Sequence, residues 1–195
     1  YNKYIEWFLI RPKTTGILTF LFLSFVVCFT VSQQYKLIKE DEQREMNNML
    51  HVVRQNIEQT LKRCYTTTLT LALTINNEGI PENFEEVSKK LMQSNDNING
   101  VQLVPDGIIK YVYPVMSNEA ALNLNLLATA SLKKEALKSI TTKKMYFAGP
   151  IELKQGGIGV VGRLPIFHNN KFWGFSAVII KLKTLLKTSG MNDFN

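Results

Sequence analysis

Cysteine and histidine are almost missing from this chain, with two of each in 195 residues. Cys28 lies in an apolar run and Cys64 in a helical pattern, so the two form no intramolecular bridge and match no metal-ligand spacing. His51 and His168 stand alone. Neither has a Ser or Cys nucleophile placed by a motif, and no His-Glu pair exists, so no catalytic residue, metal site or cofactor is expected. Proline is also scarce, at 6 residues, and the 11 glycines follow no repeat, which excludes collagen-like and low-complexity architecture. What remains is 45% hydrophobic and 20% charged, the composition of a folded module. The pattern of elements is α+β.

Charge is absent from residues 14–35, a run of 22 bounded by Lys13 and Lys36. At about 1.5 Å per residue it crosses the roughly 30 Å hydrocarbon layer as one helix. A cleaved signal peptide would have a shorter apolar core and a small-residue cleavage site. Neither is present, and Val26-Val27 before Cys28 argue against a lipoprotein site. Residues 1–13 then form a short N-terminal segment. Lys3, Arg11 and Lys13 precede the span while Lys36, Lys39 and Arg44 follow it, so charge alone leaves the orientation open. The chain starts at Tyr1, which reads as a piece of a longer protein.

Residues 36–76 read as a long stalk helix. Leu50, Val53, Ile57, Leu61, Cys64, Thr68, Leu71 and Ile75 recur every three or four residues and share one face. Two readings fit: a stalk that pairs with a second copy, where Cys64 could crosslink, or an amphipathic helix covering its own sheet.

Beyond a break at Asn76-Asn77-Glu78-Gly79, the pattern predicts a helix over 81–92 and strands over 101–104 and 108–115 around Pro105-Asp106-Gly107. A helix over 132–140 has Ser131 as a candidate cap, strands resume at Met145, and a last helix covers 182–187. The strongest local signal is a hairpin. Residues 158–164 and 172–180 are rich in Val, Ile, Phe and Trp, and His168-Asn169-Asn170-Lys171 between them tolerates left-handed backbone. Alternation along the second strand places Trp173 in the core. Gly157-Ile158-Gly159-Val160-Val161-Gly162 satisfies G-x-G-x-x-G, but the chain stays β-branched, Pro165 blocks a helix, and Leu182 stands where an acidic residue is needed.

Net charge is +7, all of it from residues 106–195, where 12 basic groups face 5 acidic ones. Lys133, Lys134, Lys138, Lys143 and Lys144 supply much of the excess, as a solvated helix face or an anion-attracting patch.

Pro105, Gly107, Tyr113-Pro114, Asn118-Glu119, Leu127, Gly149-Pro150, Gln155-Gly156-Gly157, Gly162-Arg163, Pro165 and Phe172-Trp173-Gly174-Phe175 occur in an order that resembles the CHASE domain, the extracytoplasmic sensory module of membrane receptors. The resemblance covers roughly residues 75–187. It implies a transmembrane helix and stalk followed by two PAS-like antiparallel-sheet subdomains within 77–195, distal over 77–140 and proximal over 141–195. It implies that residues 1–13 are cytoplasmic, with a sensor outside the plasma (inner) membrane, in the periplasmic or extracellular space, a homodimer through the stalk, an unknown small-molecule ligand and no nucleic acid partner. The effector would be a cytoplasmic histidine kinase or diguanylate cyclase outside this chain. A membrane-anchored binding or scaffold protein is the alternative.

By the same resemblance the ligand sits between sheet and covering helices, with Tyr111, Tyr113, Val115, Asn118, Glu119 and Arg163 as contact residues. On the residues themselves, alternation groups Ile109, Tyr111, Tyr113 and Val115 on one face, as pocket wall or as half-exposed sheet. Asn118-Glu119 could instead start a helix, and Arg163 could pair with Glu152. Plant relatives bind cytokinins through an acidic side chain at the position Lys110 occupies, and a protonated lysine accepts no hydrogen bond, which argues against a cytokinin.

Overall fold

The computed structural model describes residues 12–191. Most of the expected cytoplasmic segment 1–13 therefore lies outside the described residues. The chain divides into two compact units, residues 1–51 and 52–195.

Helix α1 runs Pro12–Ala72, unbroken because no Gly or Pro occurs between Gly16 and Gly79. In the first unit its apolar side chains are not covered by the rest of the chain, among them Phe20, Phe22, Phe25 and Val31, and Phe25 stacks on Phe29. This is the one helix among the described residues long and apolar enough to cross a membrane, with a mean hydropathy of 2.1 in its most apolar window. Exposed pairs Arg44–Glu40 and Arg54–Glu58 decorate the polar turns that follow.

In the second unit the apolar stripe of α1 is consumed by the chain's own sheet. Val53, Cys64, Thr68 and Leu71 are buried, and Cys64 and Leu71 join Val101, Leu103, Val178 and Ile180 in one core cluster. The amphipathic-cover reading therefore holds from Val53 onward, and Cys64, with no exposed surface, is sealed from a second copy. Burial in apolar surroundings pushes its thiol up to about 12. An unfolded thiol titrates near 8.5 to 9, so this group's contribution to stability is complete below that range and is lost as pH rises toward 12. We expect the stability gap between the wild type and Cys64→Ala to narrow by about 1.4 kcal/mol per pH unit above pH 9, measured by urea unfolding. The native thiol should resist N-ethylmaleimide until denaturant is added.

After α1 come α2 (Phe84–Gln93), β1 (Gly100–Pro105), β2 (Tyr111–Tyr113), two 3-10 turns (Val115–Ser117 and Glu119–Ala121), α3 (Ala130–Thr142), β3 (Tyr146–Glu152), β4 (Ile158–His168), β5 (Lys171–Lys181) and α4 (Leu182–Ser189). All five strands form one antiparallel sheet in the order β2-β1-β5-β4-β3. The two-subdomain expectation is thereby corrected: β1 and β2, from the range expected to be distal, join the sheet through β5, from the proximal range. Strand β5 sits at the centre with seven consecutive buried residues, because α1 covers one face and α3 with its preceding loop covers the other. A strand covered twice reads as a continuous apolar run.

The β4–β5 turn is as expected, with Asn169 and Asn170 both left-handed at φ 49 and 61. Trp173 is not where alternation puts it. Ile166 pairs with Gly174 but Phe167 pairs with Phe172, so Trp173 is an extra residue in β5, a bulge. The bulge turns Phe172 toward the α3 side and Trp173 toward the α1 side. There Trp173 is half-buried and donates from Nε1 to the Gly79 carbonyl at 3.0 Å. Helix α3 begins one residue before the expected cap Ser131, after Thr129, with no side-chain cap bond. Two of the exposed lysines are engaged by rings, Lys138 over Tyr146 at 4.7 Å and Lys143 over Phe167 at 5.3 Å.

Candidate functional site

The sheet face opposite α1 carries a cavity of about 560 Å³, within the range of small-molecule pockets. Its floor follows from register. Gln102 pairs with Ala177, and Ala177 with Arg163, so these three side chains stand in one row across β1, β5 and β4 on the same face. Val161 and Ile179 form the adjacent row. The roof comes from the loop between β2 and α3 and from the start of α3, through Leu124, Leu126 and Leu132, with Ile109 beside them. The mouth is lined by the β3–β4 turn, including Glu152, Leu153 and Lys154. That turn is closed by Leu153 N–H donating to the Gly157 carbonyl at 2.9 Å and Gly156 N–H donating to the Leu153 carbonyl at 2.9 Å.

Arg163 is the charged group in this floor, 4% exposed. Its backbone carbonyl accepts from Ser139 Oγ at 3.2 Å, which ties β4 to α3. Its Nη1 lies 3.8 Å from Glu135 Oε2 on α3, too long for a hydrogen bond. Neither atom has a hydrogen-bond partner among the described residues. Burial pulls the guanidinium below its usual range, and the Glu135 carboxylate offsets part of that. The expected pair of Arg163 with Glu152 is thus replaced by one with Glu135, because β4 directs the side chain under α3 while Glu152 stays exposed at the mouth.

Of the six residues named as ligand contacts, only Arg163 lines the cavity. Strand β2 is three residues long, and Val112, opposite Gln102, takes the cavity face. Tyr111 and Tyr113 therefore face α1 and α2, with the Tyr111 ring 5.6 Å from that of Phe84. Ile109 precedes the strand in a turn, and its N–H donates to the Leu124 carbonyl at 3.1 Å, which brings it to the cavity side. Val115 and Glu119 are exposed. Asn118 is buried and donates from Nδ2 to the Pro114 carbonyl at 2.9 Å, a structural role that holds the turn after β2. Lys110 is exposed and donates to Asn123 Oδ1 at 3.3 Å, away from the cavity, so its charge does not bear on what binds there. Gln102 and Glu135 escape sequence reading. One sits in a strand whose inward face is set by pairing, the other among lysines on a helix that looks solvated.

A long N-terminal helix on one face of a five-stranded antiparallel sheet, with a cavity under loop and helix on the other, defines a PAS-like sensory domain. Residues 93–193 match the CHASE domain, about half of the sequence, and the chain belongs to that family. CHASE is an extracytoplasmic sensory domain. No curated protein matches the chain. Solved structures share its fold at low identity. The ligand-binding domain of the Pseudomonas aeruginosa amino acid chemoreceptor PctC, in complex with GABA, superposes with a TM-score of 0.60 at 16% identity, over 76% of this chain and 68% of that one. The sensory domain of the Campylobacter jejuni chemoreceptor Tlp3 gives 0.54 at 16% identity, over 72% and 61%. An extracellular ligand binding receptor from Desulfohalobium retbaense gives 0.57 at 14% identity, over 72% of this chain but 27% of that receptor.

Proposed function

We propose that this chain is the ligand-sensing region of a membrane signal-transduction receptor. A small molecule enters the cavity on the sheet face opposite α1, and the response passes through α1 to an effector beyond this chain, a histidine kinase or a diguanylate cyclase. The observation that carries the reading is the cavity of about 560 Å³ with a buried, incompletely paired Arg163 in its floor. Residues 14–35 anchor the chain in the inner (plasma) membrane, residues 36–76 form the stalk, and the sensor stands outside. A homodimer through the stalk must use residues before Val53, where Met46, Met49 and Leu50 are exposed, since the stripe beyond is covered.

The test is a thermal-shift screen of small molecules against the full chain in nanodiscs, with Leu124→Trp as the blocked control. Leu124 lines the cavity and is only partly buried, so the larger ring fills space rather than displacing core. A molecule that raises the melting temperature of the wild type and not of Leu124→Trp is expected. Ligands that act equally on both would place the binding site elsewhere.

A further inference from the structure

Gln102 stands in the cavity floor with its amide unused. The residue is 4% exposed and lines the cavity, so the surface it keeps opens there. Register explains why nothing in the sheet engages it. Its neighbours in the cross-strand row are Val112 on β2 and Ala177 on β5, and neither side chain has a polar atom. The side-chain amide makes no hydrogen bond to any described residue. Burying a carboxamide without a partner is costly, and a methionine of similar length would fill the same space without that cost. What the amide offers is a donor and an acceptor side by side.

The charges around the cavity cancel locally. Arg163 faces Glu135, which stands outside the lining, and at the mouth Glu152 and Lys154 carry one charge of each sign. Neither the floor nor the mouth therefore calls for a charged ligand. Arg163 is still a donor of hydrogen bonds and never an acceptor. Its Nη1 is sealed on the Glu135 side, which leaves the N–H groups of Nε and Nη2 for the cavity. Gln102 and Arg163 lie two strand spacings apart in one row, roughly 10 Å, and side chains rise steeply from a sheet. Ala177 between them leaves a low apolar floor.

Resting on the cavity as the ligand site, we propose that it takes an uncharged ring amide. The N–H and C=O edge of the ring meets the Gln102 carboxamide, a second carbonyl across the ring accepts from Arg163, and apolar substituents lie among Leu124, Leu126, Leu132, Val161 and Ile179. A six-membered cyclic diamide with a hydrogen bond at each end spans roughly that same 10 Å.

Isothermal titration calorimetry on the full chain in nanodiscs tests it with three rings that carry the same benzyl group: 3-benzylpiperazine-2,5-dione, 6-benzylpiperidin-2-one and the lactone 6-benzyloxan-2-one. The lactam should bind at least about tenfold more tightly than the lactone, which lacks the N–H, and the dione about a hundredfold more tightly than the lactam, through the carbonyl on a charged donor. Gln102→Met should erase the first ratio and Arg163→Met the second. Because the Gln102 amide has no partner to lose, Gln102→Met should leave the melting temperature without ligand unchanged or raised. A marked fall in that temperature, or a lactam-to-lactone ratio that survives Gln102→Met, overturns the assignment and makes Gln102 a scaffold residue bonded through water. Equal binding of all three rings overturns it as well. If no ring binds up to about 10 mM, while another molecule does bind and Leu124→Trp abolishes it, the ring amide is wrong and the cavity stands. If no Leu124→Trp-sensitive ligand exists, both fall.

Discussion

Gly174→Ala should cost about 3 to 6 kcal/mol, enough to abolish most of a domain's typical stability. Gly174 has φ 155, at the end of the β5 bulge, and a Cβ there would fall on the Val104 carbonyl oxygen and lie 2.8 Å from Pro105 Cα. Both obstacles are backbone of the neighbouring strand, so β1 must move off β5 to admit a single methyl group. Gly156→Ala is the matched control. That glycine also has a positive φ, 91, yet nothing stands within 4 Å of the added carbon, so only the conformational strain of about 1 kcal/mol applies. Urea unfolding followed by circular dichroism reads both. A Gly174→Ala chain with the midpoint of Gly156→Ala would mean that the bulge relaxes freely and that the sheet is not pinned there.

Arg163→Met should separate folding from binding. A buried guanidinium held 3.8 Å from its one ionic partner among the described residues is worth little to the fold, and an apolar residue of similar length is expected to change stability by less than about 2 kcal/mol, with a gain as readily as a loss. Ligand affinity is expected to fall by about a hundredfold or more, because the charged donor in the cavity floor is gone. Thermal melting without ligand gives the first number and calorimetry with the best ligand gives the second. Severe destabilisation with unaltered affinity in the folded fraction would assign Arg163 to the scaffold. Glu135→Ala completes the cycle. It strands the buried cation, so it should destabilise the chain more than Arg163→Met does.

Elements written in local chemistry are legible in the sequence itself. The Asn169-Asn170 turn declares itself by residues that accept left-handed backbone, and β4 and β5 by β-branched runs on either side. The break after α1 shows at Asn76-Asn77-Glu78-Gly79. Which way side chains point is less legible wherever pairing sets it. Alternation predicts Trp173 beside Phe175, and one inserted residue reverses that. Tyr111 and Tyr113 look like a pocket wall until the register of a three-residue strand against β1 turns them toward α1. The partner of Arg163 is Glu135 on a lysine-rich helix, a long-range contact that no local pattern encodes. The stripe on α1 is correct in every spacing, yet periodicity does not tell a helix that covers its own sheet from one that pairs with a copy.

The cavity and α1 lie on opposite faces of one sheet, and β5 contributes alternate residues to each: Phe175, Ala177 and Ile179 to the cavity side, Val178 and Ile180 to the other. A molecule in the cavity consequently touches none of α1. Only the single layer of the sheet separates them, and under the proposed function any displacement would have to pass through that layer. Under the proposed function the central strand β5, whose two faces meet the cavity side and α1, is then the element through which an occupied cavity would displace the helix.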